Sequence, residues 1–235
     1  MRLLNIPTWL VPSITAILKG FAENWSQLAQ NSVATIIEVA YGFGLALILG
    51  CGSAILISVS PTIRSLLMPT IVFFQTIPKS AIAPLFMVWF GFGMLPKVLV
   101  VLLISFFPIV VNFAAGLNSM SVELNYLAKS MGASPTEVFL KFRIPQALPM
   151  LFQSLKISVT LALIGAIVAE FVGANAGLGY LLLVANGQLD TPLLFDILIV
   201  LAVMGAILFY LVEFLERVMI PWHVSVRIAG IERGF

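Results

Sequence analysis

Charged residues interrupt this chain so rarely that the intervals between them outline its elements. Residues 39–63 and residues 98–122 contain no charge, 25 positions in each interval. A helix crossing the hydrocarbon core of a bilayer needs about 20 consecutive, mostly apolar residues, so each interval holds one crossing. With Glu38 at its outer edge, the first helix is predicted over residues 32–58, and the next long one over 98–117. Apolar sequence resumes at Ile157 and runs to Gly173, with Glu170 near its end, and a last helix is predicted over 193–212. Between Arg64 and Lys97 lies a segment that Lys79 splits into 65–76 and 80–89, with Pro69, Pro78 and Pro84 inside. Counted as one crossing over 65–90, it brings the total to five. Lipid offers no partner to backbone polar groups, so spanning segments with unpaired edges are excluded. The fold class is therefore all-α, a polytopic transmembrane bundle of about five spanning helices.

The N-terminal stretch MRLLNIPTWLVPSITAILKG is broken by Pro7 and Pro12 and is read neither as a signal peptide nor as a full span. The most polar stretch is 118–153, which holds Glu123, Lys129, Glu137, Lys141 and Arg143. Its pattern predicts two short helices joined at Gly132. Ser134 is placed to cap the second, with Pro135 in the first turn and Glu137 three residues on. Val138, Phe139 and Phe142 then form an apolar face, and Pro145 and Pro149 end the run. Two readings fit such an amphipathic loop: a helix lying on the membrane surface, or a knob that docks on a soluble partner.

Composition agrees with a lipid environment. Of 235 residues, 61% are hydrophobic and 9% charged, against roughly 45–50% and 25% in soluble domains. The net charge of +2 comes with no basic cluster suited to nucleic acid. Arg64, Lys129, Lys141, Arg143, Arg217, Arg227 and Arg233 fall on one side of the predicted spans, and Arg2, Lys19 and Lys97 on the other. Lys and Arg accumulate on the cytoplasmic side, which places loop 118–153 and the C-terminus inside and the N-terminus outside. The domain organisation that follows is an extracytoplasmic or interfacial segment over 1–30, a membrane domain over 31–216 and a cytoplasmic tail over 217–235.

Few residues carry chemistry. The single cysteine, Cys51, sits in an apolar run and reads as a small buried hydrophobe. His223 stands beside Pro221 and Trp222 with no Cys or Asp cluster, which suits an interfacial anchor and no metal site. Trp9, Trp25 and Trp89 fit an outer aromatic belt. No nucleophile–base pair is apparent, and no GxxxxGK[ST] phosphate loop is present. Lys79 sits mid-segment, where a lysine facing lipid costs several kcal/mol. It is a pathway candidate, or a side chain that snorkels to water. Glu38 and Glu170 are placed at helix ends near the interface. Glu170, within AEFVGANAGLGY, is a second pathway candidate.

The loop resembles that of the permeases of binding-protein-dependent ABC importers, whose pattern is EAA, three residues, Gly, nine residues, Ile-x-Leu-Pro. Placing the glycine on Gly132 puts the Ile position on Phe142, the Leu position on Ile144 and the proline on Pro145. Ala133 and Phe139 match frequent choices, and the triplet falls on Tyr126, Leu127 and Ala128, keeping only the last alanine. Glu123 lies one turn earlier than the missing glutamate. The stretches TIIEVAYGFGLALILG, IGAIVAEFVGANAGLGYLLL and LERVMIPWH extend the likeness, which is nearest the nitrate/sulfonate/taurine type. Many relatives carry a helix before a Leu-Pro-Ser-like segment. Here LVPS stands at residues 10–13, so either a shortened N-terminus or a true five-helix version fits.

The resemblance implies a bacterial inner-membrane, multi-pass permease subunit that forms the solute path, with no cofactor of its own. ATP is bound by its partners: two cytoplasmic ABC ATPases docking on the loops of this chain and of a second permease copy. A solute-binding protein delivers cargo from outside. Ala128, Gly132, Ala133, Glu137, Phe139, Phe142, Ile144 and Pro145 are the coupling-loop residues it implies. Glu38 stands where many relatives place an arginine, which points to the thiamine-precursor or riboflavin subgroup. A membrane-embedded enzyme needs a polar cluster at one membrane face, and a self-sufficient channel or secondary transporter often carries an inverted repeat. Neither feature is read here.

Overall fold

The computed structural model describes residues 12–222, in which the regular structure is helical. Trp9, Arg227, Arg233 and His223 lie outside the described residues. The helices are α1 (Ile14–Glu23), α2 (Trp25–Val59), α3 (Pro61–Thr76), α4 (Lys79–Phe90), α5 (Met94–Leu117), α6 (Val122–Ser130), α7 (Pro135–Val138), α8 (Ile144–Gly173), α9 (Leu178–Gly187) and α10 (Thr191–Met219). A π-helical turn, Phe139–Arg143, joins α7 to α8. Four helical stretches are long and apolar enough to cross a membrane, and α3 with α4 makes a fifth if the broken pair is one span. The break falls at Ile77 and Pro78, where Ile77 is extended and a proline closes the helical region to the residue before it. The count of about five matches the sequence pattern.

Boundaries moved at the starts of α2 and α8 and at the end of α10, which runs to Met219 and not to residue 212. At 1.5 Å per residue, the 35 residues of α2 span about 50 Å, well beyond a hydrocarbon core of about 30 Å. The helix therefore starts among the polar residues Gln27, Gln30 and Asn31 and not at residue 32. Likewise α8 begins at Ile144 and not at Ile157. Pro145 and Pro149 do not end the run as the sequence suggested. Pro145 follows directly on the π turn and Pro149 lies inside α8, so both are carried in the continuous helical run from Pro135 to Gly173.

Packing divides the described residues into two units. The first takes the described part of Met1–Gly42 with Lys79–Leu102 and Leu161–Ile207. The second takes Phe43–Pro78, Leu103–Thr160 and the described part of Leu208–Phe235. Along α2, Gly42, Ala46, Gly50 and Ala54 repeat every fourth residue, so they share one face. In the first unit a Cβ on Gly42 would stand 2.4 Å from Val101 of α5; in the second a Cβ on Gly50 would stand 2.8 Å from Ile109 of α5. Small residues let membrane helices approach closely and gain van der Waals contact that lipid cannot supply.

In the second unit Ala54, Phe107, Phe113, Leu117 and Ala147 form one buried cluster. Ala46, Ile109, Phe152 and Val212 anchor another. Cys51 is half-buried and touches both, as a small hydrophobe would. Lys156 of α8 pairs with Glu216 of α10, which gives the buried Glu216 a half-buried counter-ion.

Candidate functional site

The loop that follows α5 is built from local signals. The Ser121 side chain caps α6 by accepting from the Leu124 N–H. The helix ends at Met131, and Gly132 adopts φ +79°, a left-handed conformation that glycine takes without a Cβ penalty. The Gly132 N–H donates to the Lys129 carbonyl at 3.0 Å and the Ala133 N–H to the Ala128 carbonyl at 3.1 Å. These two bonds make a Schellman ending. Immediately after it comes a capping box. The Glu137 N–H donates to Ser134 Oγ at 3.3 Å, and the Ser134 N–H donates to Glu137 Oε2 at 3.0 Å. Lys141 Nζ donates to the other Glu137 oxygen at 3.0 Å. The two-helix knob with its bend at Gly132 is thus the one the sequence outlined, and Glu137 is engaged in holding its shape.

Of the residues that the sequence chose, Gly132 is exposed and the others are buried or half-buried. Ala128 and Val138 are buried, and Phe139 packs half-buried beside Leu117 and Ala147. Ala133, Phe142, Ile144 and Pro145 are also half-buried. The apolar side chains that face outward are Val122 at the start of α6 and, around the bend, Tyr126, Leu127, Met131 and Leu140, with Met131 75% exposed. Period alone could not separate these sets, because the π turn Phe139–Arg143 rotates the face after Val138 away from an α-helical projection.

A second constellation lies inside the first unit. Lys97 of α5 donates to Glu38 of α2 at 2.6 Å, with 11% and 3% of the two side chains exposed. Glu170 of α8 accepts from Thr35 Oγ1 at 2.7 Å and from the Gly179 N–H at 2.5 Å. Thr35 Oγ1 in turn accepts from the Leu178 N–H at 2.9 Å, and Asn31 Oδ1 accepts from the Gly177 N–H at 2.8 Å. The first N–H groups of a helix have no intrahelical acceptor. For α9 these acceptors come from α2 and α8 and not from a neighbouring Ser or Asp, since Gly177 at the cap has no side chain. The Glu170 carboxylate also meets the positive end of the α9 dipole. The cluster therefore clasps the α8–α9 turn to α2.

This arrangement corrects the interfacial placement of Glu38 and Glu170: both are almost wholly buried in protein, at 2% and 1% exposure. It also removes Lys97 from the charges exposed at the membrane boundary. Lys79, the other pathway candidate, opens α4 and is half-buried. Asp196 of α10, which the sequence reading passed over, is fully buried without a hydrogen-bond donor. A Cβ on Gly20 of α1 would stand 2.6 Å from its Oδ2, so only glycine admits α1 at this point.

Helices of this length and apolarity define a multi-pass membrane protein. Residues 42–222 match the family of binding-protein-dependent transport system inner membrane components. The chain belongs to that family: it is a permease component of an ABC importer, a transporter and not an enzyme. It is 34% identical to the formylaminopyrimidine transport permease protein ThiX of Halalkalibacterium halodurans, covering 94% of this chain and 89% of that protein. It is 36% identical to the riboflavin transport system permease protein RibX of Chloroflexus aurantiacus, covering 96% and 85%. Among solved structures, a chain of the MetNI methionine ABC transporter in inward-facing conformations shares the fold, with TM-score 0.64 at 17% identity over 88% of this chain and 98% of that one.

Proposed function

We propose that this permease pairs with a second copy of itself in a bacterial inner membrane, and that two cytoplasmic ATPases drive the pair through the α6–α7 knob. Cargo comes from an extracytoplasmic binding protein. Support for the coupling site comes from one observation: a loop stiffened by a Schellman ending and a capping box displays Tyr126, Leu127, Met131 and Leu140 to its surroundings. Apolar anchors on a short helix suit a groove on a soluble partner. The knob runs into α8 through the π turn without a flexible linker, so displacing it displaces a spanning helix. Gly132, Ala133 and Glu137 shape the knob, whereas Phe139 packs it against the core cluster of the second unit.

The inside location of the knob rests on Lys and Arg placement. With Lys97 committed to Glu38, the seven cations of the knob side face only Arg2 and Lys19. The solute class we propose is a nitrogen heteroaromatic compound of vitamin-precursor type. ThiX and RibX support this reading. Glu38 does not, because it is sequestered with Lys97.

Site-directed crosslinking tests the docking surface. In a Cys51→Ser background, Met131→Cys and Leu140→Cys should each crosslink to the ATPase subunit in membranes, whereas Phe139→Cys should not. Crosslinking through Phe139→Cys alone would reverse the assignment of faces, and none from any position would place the ATPase elsewhere.

A further inference from the structure

An open groove of about 690 Å³ lies in the second unit, bounded by the C-terminal end of α2, by α6 and by the α7–α8 junction. Its polar lining is Ser58, Asn125, Lys129, Thr136 and Arg143, and its apolar wall includes Val59 and Phe139. No carboxylate lines it. Among the described residues the ion pairs engage Lys97, Lys141, Lys156 and Arg217, and neither Lys129 nor Arg143 belongs to one. The groove therefore concentrates two cations with no internal counter-ion.

We propose that this groove holds the headgroup of an acidic phospholipid, its phosphodiester between Lys129 and Arg143. Three features favour a lipid. The groove opens where α2, an apolar helix of 35 residues, ends, and Val59 there is 65% exposed. The site thus sits where an apolar belt meets water, the level of phosphate groups in a bilayer. Val59 and Phe139 offer a surface for the first acyl carbons. The donors also suit a phosphodiester. A guanidinium binds two phosphate oxygens in a fixed fork, Lys129 supplies a mobile point charge, and Asn125 and Thr136 add neutral donors. Ser58 does not contribute, because its hydroxyl already donates to the Ile55 carbonyl at 2.8 Å. Basic pockets at helix ends near a membrane face are a recognised mode of anionic headgroup binding. Tyr126, Leu127, Met131 and Leu140 do not line the groove, so lipid and ATPase would occupy neighbouring faces of one knob. The inference stands whichever membrane face carries the loop.

The test is native mass spectrometry of the purified permease complex, titrated with dioctanoyl-phosphatidylglycerol, dioctanoyl-phosphatidylcholine or soluble glycerol phosphate. Wild type should retain phosphatidylglycerol in preference to the other two. Lys129→Gln with Arg143→Gln should weaken that binding about thirtyfold, each charge near the surface contributing about fivefold. Thermal melting in zwitterionic detergent should be unchanged. If the double variant does not fold, Lys129→Gln alone, on the exposed side of α6, should show the fivefold loss, and Lys129→Arg should restore binding. Equal phosphatidylglycerol binding in wild type and a folded variant would overturn the proposal. So would equal affinity for phosphatidylcholine. Glycerol phosphate binding as tightly as the lipid would make this a free-phosphate site. Loss of the ATPase with lipid retention intact would assign the groove to a protein partner.

Discussion

Gly177→Ala should abolish accumulation of folded permease. At φ +118° the residue occupies a region that a side chain rarely enters, and a Cβ there would stand 2.1 Å from Glu170 Oε1. Neither problem is separable from the other. Rotating the backbone to relieve φ moves the Gly177, Leu178 and Gly179 N–H groups away from Asn31, Thr35 and Glu170. Withdrawing Glu170 leaves the Gly179 N–H without an acceptor and the Thr35 hydroxyl with only the longer bond to the Asn31 carbonyl. Backbone strain of this kind costs about 1–3 kcal/mol, overpacking in a filled site about 1–3 kcal/mol more, and a stranded buried donor a similar amount. The sum rivals the whole stability of a typical domain. Gly187→Ala, at a helical position with nothing within 4 Å of the added carbon, is the matched control and should fold normally. Size-exclusion profiles and melting in detergent report both. A Gly177→Ala protein that melts with wild type would show that the clasp is not tight.

Lys97→Met is the second large effect expected. Removing one member of a buried ion pair costs about 3–5 kcal/mol, because the remaining charge has lost its partner without regaining water. Here the stranded group is Glu38, 2% exposed, inside the first unit. Replacing both members avoids that penalty, so Glu38→Leu with Lys97→Met should recover most of the lost stability. Non-additivity of that size, read as melting temperature across the two single variants and the double, is the signature of the pair. If Lys97→Met and Glu38→Leu add, the 2.6 Å contact contributes nothing to the fold.

Both effects arise at residues whose roles the sequence left obscure, and the reason is physical. Span number was legible because a lipid solvent forces long uncharged runs, and 39–63 and 98–122 are such runs. The Gly132 bend and the Ser134–Glu137 box were legible because caps are short-range: every partner lies within a few residues. The clasp is long-range. Thr35 and Glu170 are 135 positions apart, and nothing in either flank names the other. Glu38 and Glu170 looked interfacial because an isolated carboxylate near a helix end belongs there, and only the fold supplies Lys97 and the α9 N–H groups that allow burial. The small-residue repeat Gly42, Ala46, Gly50 and Ala54 was visible in the sequence as a period of four, a signal that hydrophobicity counting discards because alanine and glycine score as ordinary apolar positions. Phe139 and Phe142 come out half-buried, and a 3.6-residue projection does not anticipate this because the π turn adds a residue.

Coupling through the knob is the central claim, and solute uptake against ATP hydrolysis in vesicles carrying the whole complex measures it most directly. Leu140→Asp places a charge on an exposed position, so folding and dimer assembly should be intact. Uptake should fall at least about tenfold, a loss of about 1.4 kcal/mol or more of coupling, with hydrolysis either reduced or no longer stimulated by the loaded binding protein. Wild-type uptake at wild-type expression in both Leu140→Asp and Met131→Asp would contradict the account and return the α6–α7 loop to the membrane surface.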